Sequence, residues 1–155
     1  MPNETPSERL DRNWQELLQE LRVAQTGVQI LTGFLLTIPF TPRFAALPTS
    51  RHVTYTVVLC GAVVATLLLM TPVALHRALF RRGARPWLVE AADRFARWGL
   101  GALALTVTGV VWFILDIVWS PWIATAVAAP ILLFVIAVWV VIPAYEARAE
   151  PHPHD

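Results

Sequence analysis

Long apolar runs separated by short polar connections dominate the pattern of this chain. The predicted membrane spans are 23–40, 53–75, 98–118 and 122–143. About 20 apolar residues in a helix cross the hydrocarbon core of a bilayer, and the second run carries no charged residue. The pattern therefore predicts an all-α fold, a four-transmembrane-helix bundle, with a turn at Trp119–Pro121 and a proline kink at Pro130 in the last span.

The first span continues a longer helix. Ser7 can cap a helix N-terminus, and no proline follows until Pro39, so one helix is expected over 7–38. Its first half is too charged for hydrocarbon, and we expect it to extend into the cytoplasm. Residues 1–6 are predicted to be a disordered tip, 7–143 a single four-helix membrane domain, and 144–155 a polar tail.

Composition agrees with lipid as the solvent. Of 155 residues, 56% are hydrophobic and 15% charged, against about 25% charged in a typical soluble domain. The connection between the second and third spans is strongly basic: Arg77, Arg81, Arg82, Arg85, Arg94 and Arg97. Basic loops favour the cytoplasmic side, so a multi-pass protein of the plasma membrane with both termini in the cytoplasm is expected.

A polar stripe runs along the first span. At 100° per residue its members fall within an arc of about 120°: Arg22, Gln25, Thr26, Gln29, Thr32 and Gly33. Amides facing lipid are costly, so the stripe must face protein or water. It either makes hydrogen bonds between helices of the bundle or lines a permeation pathway.

An apolar heptad seam lies on the same helix. Its members recur at the 4-3 spacing of a coiled coil: Leu10, Trp14, Leu17, Leu21, Ala24, Val28, Leu31 and Leu35. One interpretation is self-association of this helix with copies of itself. In the other, the N-terminal half lies on the membrane surface or packs against the basic connection of its own chain.

Charged residues suggest two further contacts. Glu16 and Glu20 are expected to dock on the basic connection, whereas Arg77, Arg81, Arg82 and Arg85 either join that docking surface or meet anionic lipid headgroups. Asp116 is the only carboxylate in the last three spans. It is either a cation site at an outer mouth or a paired carboxylate near the interface.

Enzyme chemistry has no visible place in the sequence. No nucleophile–base pair, glycine-rich phosphate loop or zinc-ligand spacing occurs, and Cys60 has no second cysteine. His52 and His76 lie about 36 Å apart along one helix, too far to share a metal. The sequence thus predicts no enzymatic activity, no cofactor, no metal site and no nucleic-acid partner.

Particular runs resemble a known family. These are ELRVAQTGVQIL at 20–31, FLLTIPF at 34–40, PVALHR at 72–77 and FRRG at 80–83. They resemble an uncharacterised family of small bacterial four-helix membrane proteins, a domain of unknown function sometimes labelled sodium:proton antiporter, over about 8–143. The resemblance implies this topology and brings no site residues. Proton-coupled exchange needs an ionisable group deep in the membrane, and none lies at mid-depth here.

The functional hypothesis from the sequence is a homo-oligomeric ion channel or transport protein. The first helix would stand nearest the symmetry axis, with Arg22, Gln25, Gln29 and Thr32 lining the pathway and Leu35 or Leu36 forming a hydrophobic constriction. The alternative is a non-transporting accessory or scaffold subunit that docks a protein partner through its cytoplasmic helix and basic connection.

Overall fold

The computed structural model describes residues 6–79 and 86–149, with side chains placed at 12, 15, 16, 18–75, 77 and 90–145. Within these ranges the backbone is helical apart from short turns, and it contains no strand. The helices are α1 (Pro6–Thr37), α2 (Pro42–Ala45), α3 (Thr49–Leu79), α4 (Pro86–Val118), α5 (Pro121–Ile136) and α6 (Ile142–Ala149). A 3₁₀ turn, Ile38–Phe40, follows α1, and a π-helical segment, Ala137–Val141, joins α5 to α6.

Four helical stretches are long and apolar enough to cross a membrane. They are Leu18–Phe40, Thr49–Leu75, Glu90–Val118 and Pro121–Tyr145. The predicted all-α class is confirmed over the described residues, and the four stretches indicate a membrane protein. Residues 1–5 of the predicted tip and 150–155 of the predicted tail lie outside the described residues.

Prolines set several helix starts. Pro42, Pro86 and Pro121 each open a helix, a position where the missing N–H costs nothing and the fixed φ already suits the helix. The connection between the predicted spans 23–40 and 53–75 therefore contains α2 and the first turn of α3, because α3 starts at Thr49, before the predicted span. The turn predicted before Pro121 is present, with Ser120 in the N-cap position.

The chain divides into two compact units, Met1–Thr106 and Val107–Asp155, with the division inside α4. In the first unit, α1 packs on α3 and on the first part of α4. The packed residues are Leu21 and Val28 of α1, Ala65 and Leu69 of α3, and Ala96 of α4. Small residues on α3 and α4 leave room for the larger side chains of α1, so the three helices share one core.

Aromatic side chains connect the C-terminal end of α1 to the N-terminal end of α3. The hydroxyl of Tyr55 donates a hydrogen bond to the carbonyl of Leu35 at 3.0 Å. Phe44 of α2 stacks edge-on against Tyr55 and His52, with ring centroids 4.9 and 4.6 Å apart. Through Phe44, α2 packs against the first two turns of α3.

Two glycines permit close helix approach inside the first unit. A Cβ atom on Gly99 would lie 2.8 Å from the Leu69 side chain and 3.1 Å from its backbone nitrogen. A Cβ atom on Gly61 would lie 2.9 Å from the hydroxyl oxygen of Thr106. Helix pairs in membranes use such small residues to bring backbones together, and here they set the α3–α4 contact.

In the second unit, polar side chains join the end of α4 to α5. The indole nitrogen of Trp112 donates to the hydroxyl of Thr125 at 3.0 Å, and that hydroxyl donates in turn to the carbonyl of Pro121 at 2.8 Å. Ala124 and Ala128, one helical turn apart on α5, are buried. Because of the two hydrogen bonds, the Thr125 hydroxyl both donates through its hydrogen and accepts through its oxygen.

We predict that Gly99→Ala destabilises the protein by about 1–3 kcal/mol, the usual cost of overpacking a core. The new methyl group would meet the Leu69 backbone as well as its side chain, and a backbone cannot rotate away. The measurement is thermal unfolding in detergent. Gly101→Ala is the matched control, because a Cβ atom there meets nothing within 4 Å. An equal loss of stability in both variants would contradict the assigned α3–α4 contact.

Candidate functional site

The first helix holds the predicted pathway residues, and one line of them faces the core of its own chain. The amide nitrogen of Gln25 donates to the carbonyl of Leu69 on α3 at 2.8 Å. Gln25 thus joins α1 to α3 by a side-chain hydrogen bond, as the interhelical interpretation of the stripe requires.

Thr32 and Leu35 belong to the same inward line. The hydroxyl of Thr32 donates to the carbonyl of Val28 at 2.7 Å, within the helix. Leu35 is 1% exposed, and its carbonyl holds the Tyr55 hydroxyl. A side chain covered by its own subunit cannot form a ring around an axis outside that subunit, so Leu35 does not serve as a constriction between subunits.

The other predicted pathway residues, Arg22 and Gln29, face outward. They belong to a set of exposed residues on α1 and the 3₁₀ turn after it, with the spacing 4-3-4-3-4-3-4, which we name the outward seam: Gln15, Gln19, Arg22, Thr26, Gln29, Gly33, Leu36 and Phe40. At 100° per residue they fall within an arc of about 100°. The polar stripe therefore consists of two neighbouring lines on α1, one exposed and one half-buried.

The apolar heptad seam, in contrast, is turned inward where its side chains are described. Leu21 and Val28 are 3% and 0% exposed, in the core with α3 and α4. Leu10, Trp14 and Leu17 lie in α1, and their side chains are outside the described part of the chain. The inward half of the seam thus serves packing within one chain, and self-association through the N-terminal half stays a prediction.

The outward seam could have been found from the sequence. It has the same 4-3 spacing as the apolar seam and is offset from it by one or two positions, as Val28 and Gln29 illustrate. It is not an apolar heptad repeat, because six of its eight residues are polar or small: three glutamines, a threonine, a glycine and an arginine. The signal was periodicity of polar and small residues within an apolar span.

The first membrane stretch exposes more polar surface than a helix in contact with lipid would. An 18-residue part of Leu18–Phe40 has a mean hydropathy of 1.4, the lowest value among the four stretches, and only 11% of that part is buried. The corresponding part of Pro121–Tyr145 is also little buried, at 6%, but its mean hydropathy is 2.7. Lipid suits an apolar exposed surface such as the second. It cannot satisfy the amide of Gln29, so the outward seam calls for another contact.

The charged candidates occupy exposed positions. Glu16 lies 3.7 Å from Arg12 one turn earlier, and Glu20 and Arg77 are exposed. Arg81, Arg82 and Arg85 lie outside the described residues. Docking between these groups, and contact of the arginines with lipid headgroups, stay predictions.

Asp116 lies near the end of α4 and is 5% exposed. Exposed cation sites present their carboxylates to water, and this carboxylate is buried. The position therefore fits an engaged carboxylate better than an open outer mouth. Among the described residues, no three histidine, cysteine or carboxylate side chains come together as a metal site would need.

We predict that Gln25→Leu lowers the stability of the single chain by about 1 kcal/mol, the typical value of an interhelical hydrogen bond in a membrane. The loss arises because the Leu69 carbonyl forfeits its side-chain donor. Gln29→Leu, four residues along the same helix and exposed, is the control and should leave that stability unchanged. Unfolding in mixed micelles, under conditions that keep the protein monomeric, measures both. Equal effects would refute the inward assignment of Gln25.

Comparison with known proteins identifies a family. Neither the curated proteins nor the solved structures include a match to this chain. One family model, described as a family of unknown function (DUF6328), matches residues 3–143. The match covers the described helices from α1 into the first residues of α6, and it carries no antiporter description. The chain therefore belongs to the DUF6328 family of unknown function.

Proposed function

We propose that this membrane protein is a homo-oligomeric ion channel in which copies of α1 meet along the outward seam and line the pathway. The observation that carries the proposal is the exposure of Arg22, Thr26 and Gln29 on the least apolar of the four stretches. Such a surface needs polar protein or water against it. Three residues of the earlier pathway hypothesis are not part of the seam: Leu35 is buried, and Gln25 and Thr32 are half-buried.

A second copy of this chain is the partner that fits the seam. Copies inserted in the same orientation place identical helices side by side, and closed symmetry brings the same residues of each copy together. A 4-3 spacing keeps one face of a helix against its partners over many turns. The Gln29 amide is both donor and acceptor, so it can pair with the same amide of a neighbouring copy.

The composition of the seam favours a water-filled path over a dry contact. Its polar members run from Gln15 through Arg22 to Gln29, and parallel copies would bring arginine against arginine. Like charges in a dry interface are strongly unfavourable, whereas water and counter-ions relieve them. Leu36, 53% exposed, and Phe40, 88% exposed, lie at the far end, where rings of apolar side chains can gate by dewetting.

We place the protein in the plasma membrane with both termini in the cytoplasm, since the basic connection between α3 and α4 favours that side. In this orientation the N-terminal half of α1 stands in the cytoplasm and Arg22 marks the inner end of the pathway. The arginines of the connection would then contact anionic headgroups of the inner leaflet.

A scaffold subunit is the second candidate function. The exposed Glu16 and Glu20 on α1, and the exposed Arg77 and Arg94 on α3 and α4, offer opposite charges to a docking protein. In this case the outward seam would form a packed contact between copies, helped by Gly33, where a Cβ atom meets nothing within 4 Å in the single chain. The two candidates share the assembly and differ in whether ions cross it.

We predict that a cysteine at Gln29 forms an intermolecular disulfide under mild oxidation, because symmetry brings this position next to its copy. The background is Cys60→Ser, since Cys60 is the only native cysteine and is exposed. Val23→Cys is the control: Val23 is 74% exposed but lies about 100° round the helix from Arg22. Linked dimers are expected on gels for Gln29→Cys alone. Equal linkage at both positions, or a monomer by native mass spectrometry, would overturn the assembly.

We predict further that the purified protein conducts ions in planar bilayers and that Gln29→Leu reduces its conductance severalfold, because the substitution removes the amide at mid-span. Val57→Leu is the control, since Val57 is 65% exposed on α3, away from the seam. An assembled protein that passes no current would instead support the scaffold function. Single-channel recording, with the oligomer verified on the same preparation, separates the two results.

A further inference from the structure

The charge on the outward seam is of one sign. Among the seam residues, Arg22 is the only one with a charged side chain, and it is exposed. The nearest acidic residue in sequence, Glu20, is also exposed but lies about 160° round the helix from Arg22. Among the residues whose side chains are described, a pathway along the seam would therefore have a positive ring without a carboxylate beside it on the same face.

Arg22 lies where a ring of its copies would act on ions that enter the pathway. It is close to the start of the stretch Leu18–Phe40, about 6 Å along the axis from Leu18 and about 10 Å from Gln29. A guanidinium stays protonated at every physiological pH. Several copies around one axis, between walls of low dielectric, would concentrate anions and repel cations.

The uncharged seam residues are compatible with an anion. The amide of Gln29 has N–H groups that can donate to it as water is lost. The hydroxyl of Thr26 already donates to the carbonyl of Arg22 at 2.9 Å, so the arginine ring and the amides of Gln15, Gln19 and Gln29 are left to interact with the ion. A small monovalent anion such as chloride matches one cationic ring followed by neutral donors.

We infer that the pathway conducts small inorganic anions and that the ring of Arg22 determines this selectivity. The inference rests on the proposed channel function and adds to it the class of ion and the residue that selects it. The mechanism is the one that rings of basic side chains provide in anion pores, where the fixed charge lowers the energy of the anion and raises that of the cation.

The experiment is the reversal potential of the reconstituted protein under a tenfold gradient of potassium chloride. The wild type should reverse near the chloride equilibrium potential. Arg22→Gln should lose most of the preference, at least tenfold in the ratio of chloride to potassium permeability, and Arg22→Glu should favour potassium. Arg22→Lys, which keeps the charge, should remain selective for chloride. Arg94→Gln is the control for a general loss of positive charge, because Arg94 is exposed on α4 and off the seam.

The outcomes separate the two proposals. An assembled wild-type protein that carries no current overturns the channel and the selectivity together. Current that favours potassium in the wild type, or a chloride preference unchanged in Arg22→Gln, overturns the role of Arg22 and leaves the channel standing. The second result would indicate that Arg22 extends its guanidinium to the lipid headgroups, as long basic side chains near span ends do.

Discussion

Hydrocarbon forms no hydrogen bonds, and this one constraint accounts for most polar contacts within the spans. The threonines Thr32, Thr66 and Thr106 each donate to the carbonyl four residues earlier in their own helix. Groups that cannot be satisfied within one helix reach across to another, as Gln25 does to Leu69 and Tyr55 to Leu35. The same constraint that fixes the pairing of α1 with α3 makes the exposed amide of Gln29 conspicuous.

The two least buried stretches expose different kinds of side chain and therefore need different surroundings. Pro121–Tyr145 exposes large apolar residues such as Leu133 and Phe134, for which lipid is a good solvent. Leu18–Phe40 exposes an arginine and an amide, for which it is not. A helix of this composition is stable in the membrane when its polar side is covered by protein or water, and this is the physical basis of the proposed assembly.

The sequence predicts the number and approximate position of the spans because each needs only length and apolar composition. It also predicts the turn before Pro121, where proline stops one helix and suits the start of the next. The start of α3 at Thr49 was not predicted, because the polar stretch around Pro48 reads as a loop, although proline is compatible with a helix start. Nor does the sequence contain a signal for the π-helical segment Ala137–Val141.

The face of α1 that packs inside the chain was the principal ambiguity. Both the apolar and the outward seam have a heptad spacing, and neighbouring residues such as Leu21 and Arg22, or Leu35 and Leu36, belong to different seams about 100° apart on the helix. Periodicity identifies faces but not what covers them, because that depends on the small residues of α3 and α4 and on a hydrogen bond to Leu69, far away in sequence. The apolar seam therefore left self-association as one of two open interpretations, and in the structure Leu21 and Val28 of its membrane half pack within one chain.

The division of α1 into two faces has a physical consequence for any function of the protein. Residues that stabilise the single chain and residues open to assembly alternate along the same turns, so they are held at a fixed angle by one rigid helix. A movement of α1 against α3 would have to break the Gln25–Leu69 hydrogen bond and shift Leu21 and Val28 in the core. The outward seam is thus presented on a surface whose position the core sets, as a contact between subunits or a pathway of constant width requires.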